Sequence, residues 1–320
     1  MSNSKKDSFS VSVVTPSLNA MPFIKDAVES VSSQDYSPIE HIIIDGGSSD
    51  GTLDFLQARP QLVWVSEADL GQSHALNKGF QRAQGDIVGW LNADDTYQPG
   101  AVSIAVRFLH EHPDVDLVYS DLRIIDENGK FVGITRSQTF YLEKLLLTNF
   151  IKQTTVFMRR RILDQLKGVD ESLHFVMDRE FWMRAGIAGF KMHYLENQTL
   201  ANFRLIPGTK SYEHVPQFRA EWVQILEKAF ELPAFQHFPT AVREDILRKT
   251  KAQYHWAFAS MAMEKKDRKV FLYHFVQAVK KDPGLLMNRG TWLFILKGML
   301  GLKVDRLRKF RKVSLNNLEL

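Results

Sequence analysis

The first third of the chain alternates between short apolar runs and amphipathic segments. Residues 11–15, 41–44, 62–65 and 87–91 have the composition of buried strands, and a segment with helical periodicity follows each of the first three. Strands separated by single helices form right-handed units and a mostly parallel sheet. Ligands of such a sheet bind beyond the carboxyl ends of its strands. The pattern therefore predicts an α/β fold with a binding site at one edge of the sheet.

Candidate contact residues follow each of these strands, at the predicted binding edge. They are Pro16, Ser17 and Asn19 after the first strand, Asp45 after the second, Glu67, Asp69, Gln72 and Lys78 after the third, and Asn92, Asp94 and Asp95 after the fourth. We interpret Asp45 as facing the ligand, because a carboxylate there can accept hydrogen bonds from a base or ribose, and Asp50 as a helix cap. Lys78 can meet a phosphate or be a solvated charge on a helix.

Two adjacent carboxylates, Asp94 and Asp95, end the fourth apolar run. Mg²⁺ or Mn²⁺ bound to a nucleotide diphosphate needs few protein ligands, because phosphate oxygens and waters supply the others. The pair is therefore a candidate metal site, with Asp95 as the main ligand and Asp94 next to the metal-bound phosphate or the ribose. The alternative is a solvated turn that caps the helix near Pro99.

A fifth acidic position lies further along the chain, where apolar residues flank Asp178 at the start of a predicted helix over 178–189. A partly buried carboxylate at such a place can take a proton from an attacking hydroxyl. The alternative is a helix cap or a partner of the helix dipole. Glu180 and Asp170 are the other acids that could be the base.

The composition excludes several classes of site. The 320 residues include no cysteine, so disulfides and thiolate metal sites are excluded and a reducing compartment is compatible. Residues 1–10 have no apolar core of a secretory signal, so we expect a cytoplasmic protein. The net charge of +4 is too mild to indicate nucleic acid as a partner.

The second half of the chain changes in character. Beyond residue 213 the pattern is helical, and residues 252–283 predict a helical hairpin that turns near 265–267. The run 292–300 is apolar and precedes a basic segment at 303–312. An apolar helix beside such a cluster can lie on an anionic membrane surface, or the run can pack on the hairpin.

Four segments in this order and spacing resemble glycosyltransferase family 2, with the GT-A type of nucleotide-diphospho-sugar fold. They are residues 14–19, 45–52, 92–95 and 177–182. The resemblance implies a mostly parallel sheet with a small antiparallel part and a C-terminal helical region. It implies a catalytic domain at 1–212, with a nucleotide-sugar half near 10–112 and an acceptor half near 113–212, followed by the helical region 213–320.

The sequence departs from the family pattern at three places. Gly46 stands where a second acid is frequent, which bears on nucleobase contacts. Met177 replaces a frequent glutamate before the base, and Ile206 stands near the place of a histidine that can be a third metal ligand. The Gln-x-x-Arg-Trp motif and the membrane spans of processive synthases do not occur, which favours addition of a single sugar.

The resemblance implies a metal-dependent transfer from a nucleotide diphosphate sugar to a glycan or lipid-linked acceptor, in the making of a cell-surface polysaccharide or glycan. The metal would neutralise the leaving diphosphate and Asp178 would deprotonate the acceptor, so that the anomeric configuration inverts. One alternative is a nucleotide-sugar-binding protein with an inactive site. A dinucleotide-dependent dehydrogenase is the other, but no Gly-x-Gly-x-x-Gly follows the first strand. The sequence leaves the sugar, the base, the acceptor and the oligomeric state open.

Overall fold

A computed structural model describes residues 8–287, 290–293 and 295. Its strands form one sheet in the order β3-β2-β1-β4-β8-β6-β9-β5, with β7 paired to β6. The strands are β1 Val11–Ser17, β2 Ile39–Asp45, β3 Val63–Ser66, β4 Ile87–Trp90, β5 Thr96–Tyr97, β6 Leu117–Ile125, β7 Phe131–Thr135, β8 Phe157–Arg159 and β9 Met192–Arg204. The helices of this region are α1 Ile24–Ser32, α2 Thr52–Gln57, α3 Gln72–Arg82, α4 Ala101–Glu111, α5 Leu142–Leu147, α6 Arg160–Leu166 and α7 Met177–Ile187.

The first four strands are parallel and form the half of the sheet that the sequence predicts. All seven residues of β1 are buried, as expected for a central strand covered on both faces. Helix α3 lies close to this strand, because a Cβ at Gly79 would come within 2.3 Å of the Val14 side chain. The glycine therefore fixes α3 against the sheet, with Gln72 at its amino end next to the carboxyl ends of the strands.

Besides the hairpin of β6 and β7, which the Asn128-Gly129 turn predicts, the antiparallel pairs each include a short strand that sequence patterns do not mark. β8 has three residues and lies between β4 and β6, antiparallel to both. β5 has two residues and pairs with β9. β9 extends to Arg204, although the apolar pattern predicts only its beginning at 192–195. The predicted fold class is confirmed, with the antiparallel strands joined to the parallel half through β8.

The chain divides into two compact units between Ile206 and Pro207. Residues 146–148 group with the second unit, where the Leu146 carbonyl accepts a hydrogen bond from the buried Trp222 indole at 3.1 Å. This unit is helical, with α8 Lys210–Glu213, α9 Val215–Ala229, α10 Thr240–Glu264 and α11 Arg268–Lys281.

The predicted helical hairpin is confirmed as α10 and α11, which turn at 265–267. Asp267 caps α11 by accepting a hydrogen bond from the Val270 amide at 3.1 Å. Most of the apolar run 292–300 and the whole basic segment 303–312 lie outside the described residues. Within the described part of the chain, we find no helix with the length and apolarity needed to cross a membrane.

Candidate active site

Asp45 ends β2 and organises the turn that follows it. The carboxylate is fully buried and accepts hydrogen bonds from the Gly47 amide (3.0 Å), the Ser48 amide (2.9 Å) and the Ser66 hydroxyl (2.8 Å). The Ser48 hydroxyl donates to its second oxygen at 2.5 Å. Donors of its own turn and of β3 thus occupy both oxygens of Asp45, so a contact with the ligand, as predicted, would have to replace one of these hydrogen bonds.

Asp69 is the carboxylate that reaches the outer side of this turn. A Cβ at Gly46 would lie 2.6 Å from Asp69 Oδ2, so the acid occupies the space that the missing side chain leaves. Its other oxygen accepts a hydrogen bond from the Gly71 amide at 2.8 Å. Within the described residues Oδ2 has no hydrogen-bond donor. The departure at Gly46 thus coincides with a second acid, from β3, at the same place.

The loop after β1 is tied to the β2 turn rather than open to ligands along its whole length. The Asn19 amide donates to the Ser48 hydroxyl at 2.7 Å, and the Asn19 side chain accepts from the Ser49 amide at 2.9 Å. Asp50 accepts from the Thr52 amide at 3.1 Å and from the Met21 amide at 2.8 Å, but the N-cap position of α2 is Gly51, so Asp50, the predicted cap, stands one residue before that position. Pro16 and Ser17 are buried in β1, and the Ser17 hydroxyl has no partner among the described atoms.

Glu67, just after β3, and Lys78 of α3 form an ion pair of 2.8 Å. The pairing lowers the pKa of the exposed Glu67, first through a hydrogen bond from Lys78 and then through its charge. Lys78 is therefore neither a freely solvated charge nor a free phosphate ligand. Contact with a phosphate would require the ammonium to share or leave Glu67.

Asn92 is the centre of an amide cluster after β4. Its Oδ1 accepts hydrogen bonds from Gln72 Nε2 at 3.1 Å and from Trp90 Nε1 at 3.0 Å. Its Nδ2 donates to Gln153 Oε1 at 3.1 Å, and Gln153 Nε2 donates to the Trp90 carbonyl at 2.6 Å. Gln72 and Asn92 are thus brought together as predicted, with Gln153 as a third member that the sequence did not reveal.

The two acids after Asn92 have different surroundings. Asp95 is fully buried, and its carboxylate accepts hydrogen bonds from the Arg204 amide at 3.0 Å and the Thr154 hydroxyl at 3.1 Å. The Asp94 side chain is only partly buried, and no side chain in the described ranges donates to it. Arg204 binds the Asp94 carbonyl at 3.0 Å and pairs with Asp26 at 2.6 Å, which fixes the turn from behind.

The electrostatics of this pair suit a cation. Burial raises the pKa of Asp94, and burial together with the negative charge of Asp94 raises the pKa of Asp95 well above its usual range. No cluster of three or more metal-ligating side chains occurs in the described parts of the chain. Burial disfavours the ionised form of both carboxylates, and a Mn²⁺ or Mg²⁺ ion whose remaining ligands are phosphate and water oxygens would offset this cost. Sequence analysis makes Asp95 the main ligand, but its carboxylate is fully buried and accepts two hydrogen bonds, so the partly exposed Asp94 is the more accessible of the two to an ion.

Asp178 stands in the first turn of α7, where Asn149 Nδ2 donates to its Oδ2 at 3.2 Å. Burial raises the pKa of Asp178, while the hydrogen bonds from the Arg179 amide and Asn149 lower it to a smaller extent. A raised pKa makes a carboxylate a stronger proton acceptor. Of the other candidate bases, Glu180 pairs with Arg184 through Oε1 at 2.7 Å, while its Oε2 is buried without a partner among the described atoms and burial raises its pKa. Asp170 accepts from the Ser172 amide at 2.9 Å and hydroxyl at 2.7 Å.

Lys152 is a buried cation in the same cluster. Only 5% of its surface is exposed, and its Nζ donates to the Asn149 carbonyl at 3.1 Å. Burial lowers the pKa of Lys152 to about 8, while the negative charge of Asp178 acts in the opposite direction and the charge of Arg179 lowers it further. Asn149 thus contacts the acid through its side chain and the lysine through its backbone.

The segment 149–155 connects the two carboxylate sites. Asn149 contacts Asp178, and a short 3₁₀ turn over Gln153–Thr155 presents Thr154 to Asp95. Sequence reasoning missed this segment, because it carries neither an acid nor a glycine-rich turn. Its polar residues between apolar neighbours were the only signal that could have drawn attention to it.

Comparison with known proteins gives a consistent family. Residues 12–167 match the model described as Glycosyl transferase family 2. The putative teichuronic acid biosynthesis glycosyltransferase TuaG of Bacillus subtilis is 29% identical over 222 residues, which are 66% of this chain and 85% of that protein. A PGL/p-HBAD biosynthesis glycosyltransferase of Mycobacterium tuberculosis is 27% identical over 179 residues, covering 54% of this chain and 68% of that protein.

Solved structures with the same fold include two complexes with sugar nucleotides. TarS 1-349 of S. aureus in complex with UDP-GlcNAc has a TM-score of 0.64 at 19% identity, covering 92% of this chain and 93% of that one. The mannosyltransferase PcManGT from Pyrobaculum calidifontis in complex with GDP-Man and Mn²⁺ has a TM-score of 0.59 at 19% identity, covering 96% and 84%. At these identities the likeness concerns the fold, which is the GT-A fold that the sequence resembles.

Proposed function

We propose that this chain, which belongs to glycosyl transferase family 2, moves a sugar from a nucleotide diphosphate sugar to an acceptor hydroxyl with inversion at the anomeric carbon. The observation that carries the proposal is the segment 149–155, which contacts Asp178 at one end and Asp95 at the other. A transferase needs a site for the leaving group and a proton acceptor within the span of one substrate. A protein that only binds needs the first of these alone.

The nucleoside diphosphate is assigned to the edge formed by β1, β2, β3 and β4. Asp69 offers its free oxygen to an N–H of the nucleobase or a hydroxyl of the ribose. Asn92 and Gln72 lie between this position and the acids of the next turn, where their amides can contact the ribose or the diphosphate. Pro16, Ser17 and Asn19 line the start of the same edge.

Asp94 and Asp95 would hold Mn²⁺ or Mg²⁺. When bound, such an ion neutralises the negative charge that develops on the leaving diphosphate. The protein supplies Asp94 as the accessible oxygen ligand, while Arg204 and Thr154 fix Asp95 behind it. These contacts leave the partly buried Asp94 side chain available to a cation.

Asp178 is assigned as the general base. Asn149 donates to its Oδ2 and the Arg179 amide also donates to the carboxylate, which orients it to accept a proton from the acceptor hydroxyl. The oxygen that loses this proton attacks the anomeric carbon, and the bond to the diphosphate breaks on the opposite side. One displacement of this kind inverts the configuration.

We infer the class of acceptor from the named relatives, and we specify it only as a glycan. Two relatives are named for teichuronic acid biosynthesis and for PGL/p-HBAD biosynthesis. We assign this chain to the same broad class, a cell-surface polysaccharide or lipid-linked glycan.

Titration calorimetry tests the donor half of the proposal. UDP and GDP are titrated with Mn²⁺ and with a chelator, and NAD is the control ligand. We expect one of the two diphosphates to bind in a metal-dependent manner and NAD not to bind. Stronger binding of NAD than of either diphosphate would contradict the proposal. Metal-dependent binding without any turnover would favour the alternative, an inactive nucleotide-sugar-binding protein.

A further inference from the structure

The outward face of α11 carries apolar side chains that have no cover in the described structure. Leu272 is 60% exposed, Tyr273 59% and Val276 38%. The opposite side of the helix packs on α10, where Ala278 is buried and His274 Nδ1 lies 3.0 Å from His255 Nδ1. Large apolar side chains that are exposed side by side mark an interaction surface more often than scattered single ones do.

Basic residues lie on the same face of the helix. Lys269, Leu272, Tyr273, Val276 and Lys280 follow one another at spacings of three, four or one residue, which places them on one side of α11. The whole helix contains four lysine and arginine residues and no acid. This arrangement of lysines at both ends of an apolar patch is typical of helices that lie in the plane of a membrane surface.

The charge of this face selects among possible occupants. A second copy of the chain, docked by the same face about a twofold axis, would bring lysines against lysines, and like charges oppose such an interface. The basic segment 303–312 of the same chain meets the same objection. An anionic lipid surface accepts the apolar side chains between its headgroups and attracts the lysines.

We propose that α11 binds the surface of an anionic membrane through Leu272, Tyr273 and Val276, with Lys269 and Lys280 against the lipid headgroups. The residues that follow the helix keep this character, since Met287, Trp292 and Leu293 are also exposed. The surface belongs to the helical unit and does not depend on the transfer reaction. It would hold the enzyme at the bilayer where a lipid-linked acceptor is found.

Vesicle flotation of the full chain tests the proposal. The probes are vesicles of phosphatidylcholine alone and vesicles that also contain phosphatidylglycerol, each at low and high salt. The variants are Leu272→Ser/Tyr273→Ser/Val276→Ser and Lys269→Gln/Lys280→Gln. Leu232→Ser, an exposed leucine of the same unit outside α11, is the matched control. Circular dichroism verifies that each variant keeps its helices.

We expect the wild type and Leu232→Ser to float with the anionic vesicles at low salt only. Loss of two lysines should weaken this partition on the order of 10- to 30-fold, and the triple serine variant should lose it to a similar or greater extent. Equal flotation of the triple variant and the wild type would overturn the proposal. So would light scattering that shows a wild-type dimer which the triple variant abolishes, because the face would then join two copies.

Discussion

The side chain of Asn149 donates a hydrogen bond to Asp178 across 3.2 Å, while its backbone carbonyl accepts one from Lys152 at 3.1 Å. One asparagine therefore connects the assigned base to a buried cation. Arg179, whose guanidinium binds the Leu145 carbonyl at 2.6 and 2.9 Å, is the other charged group that acts on both. Burial raises the pKa of Asp178 most, and the hydrogen bond from Asn149 and the charge of Arg179 act in the opposite direction.

The pH dependence of turnover should follow from the raised pKa of Asp178. A base works only when it is ionised, so kcat/KM should be constant at high pH and fall as the pH drops through this pKa. Because burial raises the pKa, the fall should begin above the range of an ordinary aspartate. A profile of kcat/KM against pH, measured at a saturating metal concentration, gives this acidic limb, the part of the curve in which the rate falls with pH. A profile that stays flat to the pKa of an exposed aspartate would contradict the assignment.

Lys152→Met should move the same limb to higher pH. The substitution removes a positive charge near Asp178. Because that charge favours the ionised carboxylate, its loss should raise the pKa of Asp178. Lys152→Arg keeps the charge and should leave the limb closer to its original place. Rate profiles of the two variants are compared, with thermal denaturation as a control for folding. An identical limb in both variants would show that Lys152 has only a structural role.

Asp94→Asn should weaken metal-dependent binding without lowering the stability of the protein. The change removes a charge that repels Asp95, so without metal the melting temperature should not fall and is expected to rise. Affinity for the nucleoside diphosphate in Mn²⁺ should fall about 10- to 100-fold, the equivalent of one charge-assisted contact. Asp95→Asn should also remove most activity. Unchanged metal-dependent affinity in Asp94→Asn would contradict the assignment of the site.

Gly46→Ala should act through Asp69. The backbone at Gly46 is outside the left-handed region, so alanine is tolerated, but its Cβ would stand 2.6 Å from Asp69 Oδ2 and displace the carboxylate. Asp69→Asn should weaken nucleoside diphosphate binding by a similar factor, roughly tenfold. Because both changes remove the same contact, the double variant should be no weaker than either single one. Additive losses in calorimetry would place Asp69 outside the nucleotide site.

The parts of the fold that could be predicted from sequence are those with long periodic patterns. The strands β1 to β4 and the hairpin of α10 and α11 are long enough for the sequence to show which of their faces are buried. β5 and β8 have two and three residues, and they exist because β9 and β4 offer free edges to them. No local pattern records such a long-range pairing.

The site shows the same division. The order of the acids along the chain indicated which turns meet at the sheet edge, but not which acid faces outward. Asp45 turned inward because three amide and hydroxyl donors converge on it from its own turn and a fourth from Ser66, and Asp69 took the outer position next to Gly46. Lys152 could not be predicted as part of the site, since a lysine is rarely fully buried.

A panel of sugar donors tests whether the chain transfers a sugar with Asp178 as the base. UDP- and GDP-linked sugars are incubated with the full chain and Mn²⁺, and diphosphate release is measured for the wild type and Asp178→Asn. We predict release from one donor, abolished by a chelator and reduced on the order of 10²- to 10⁴-fold in Asp178→Asn, while the variant still binds the diphosphate. Equal release by the variant and the wild type would contradict the account.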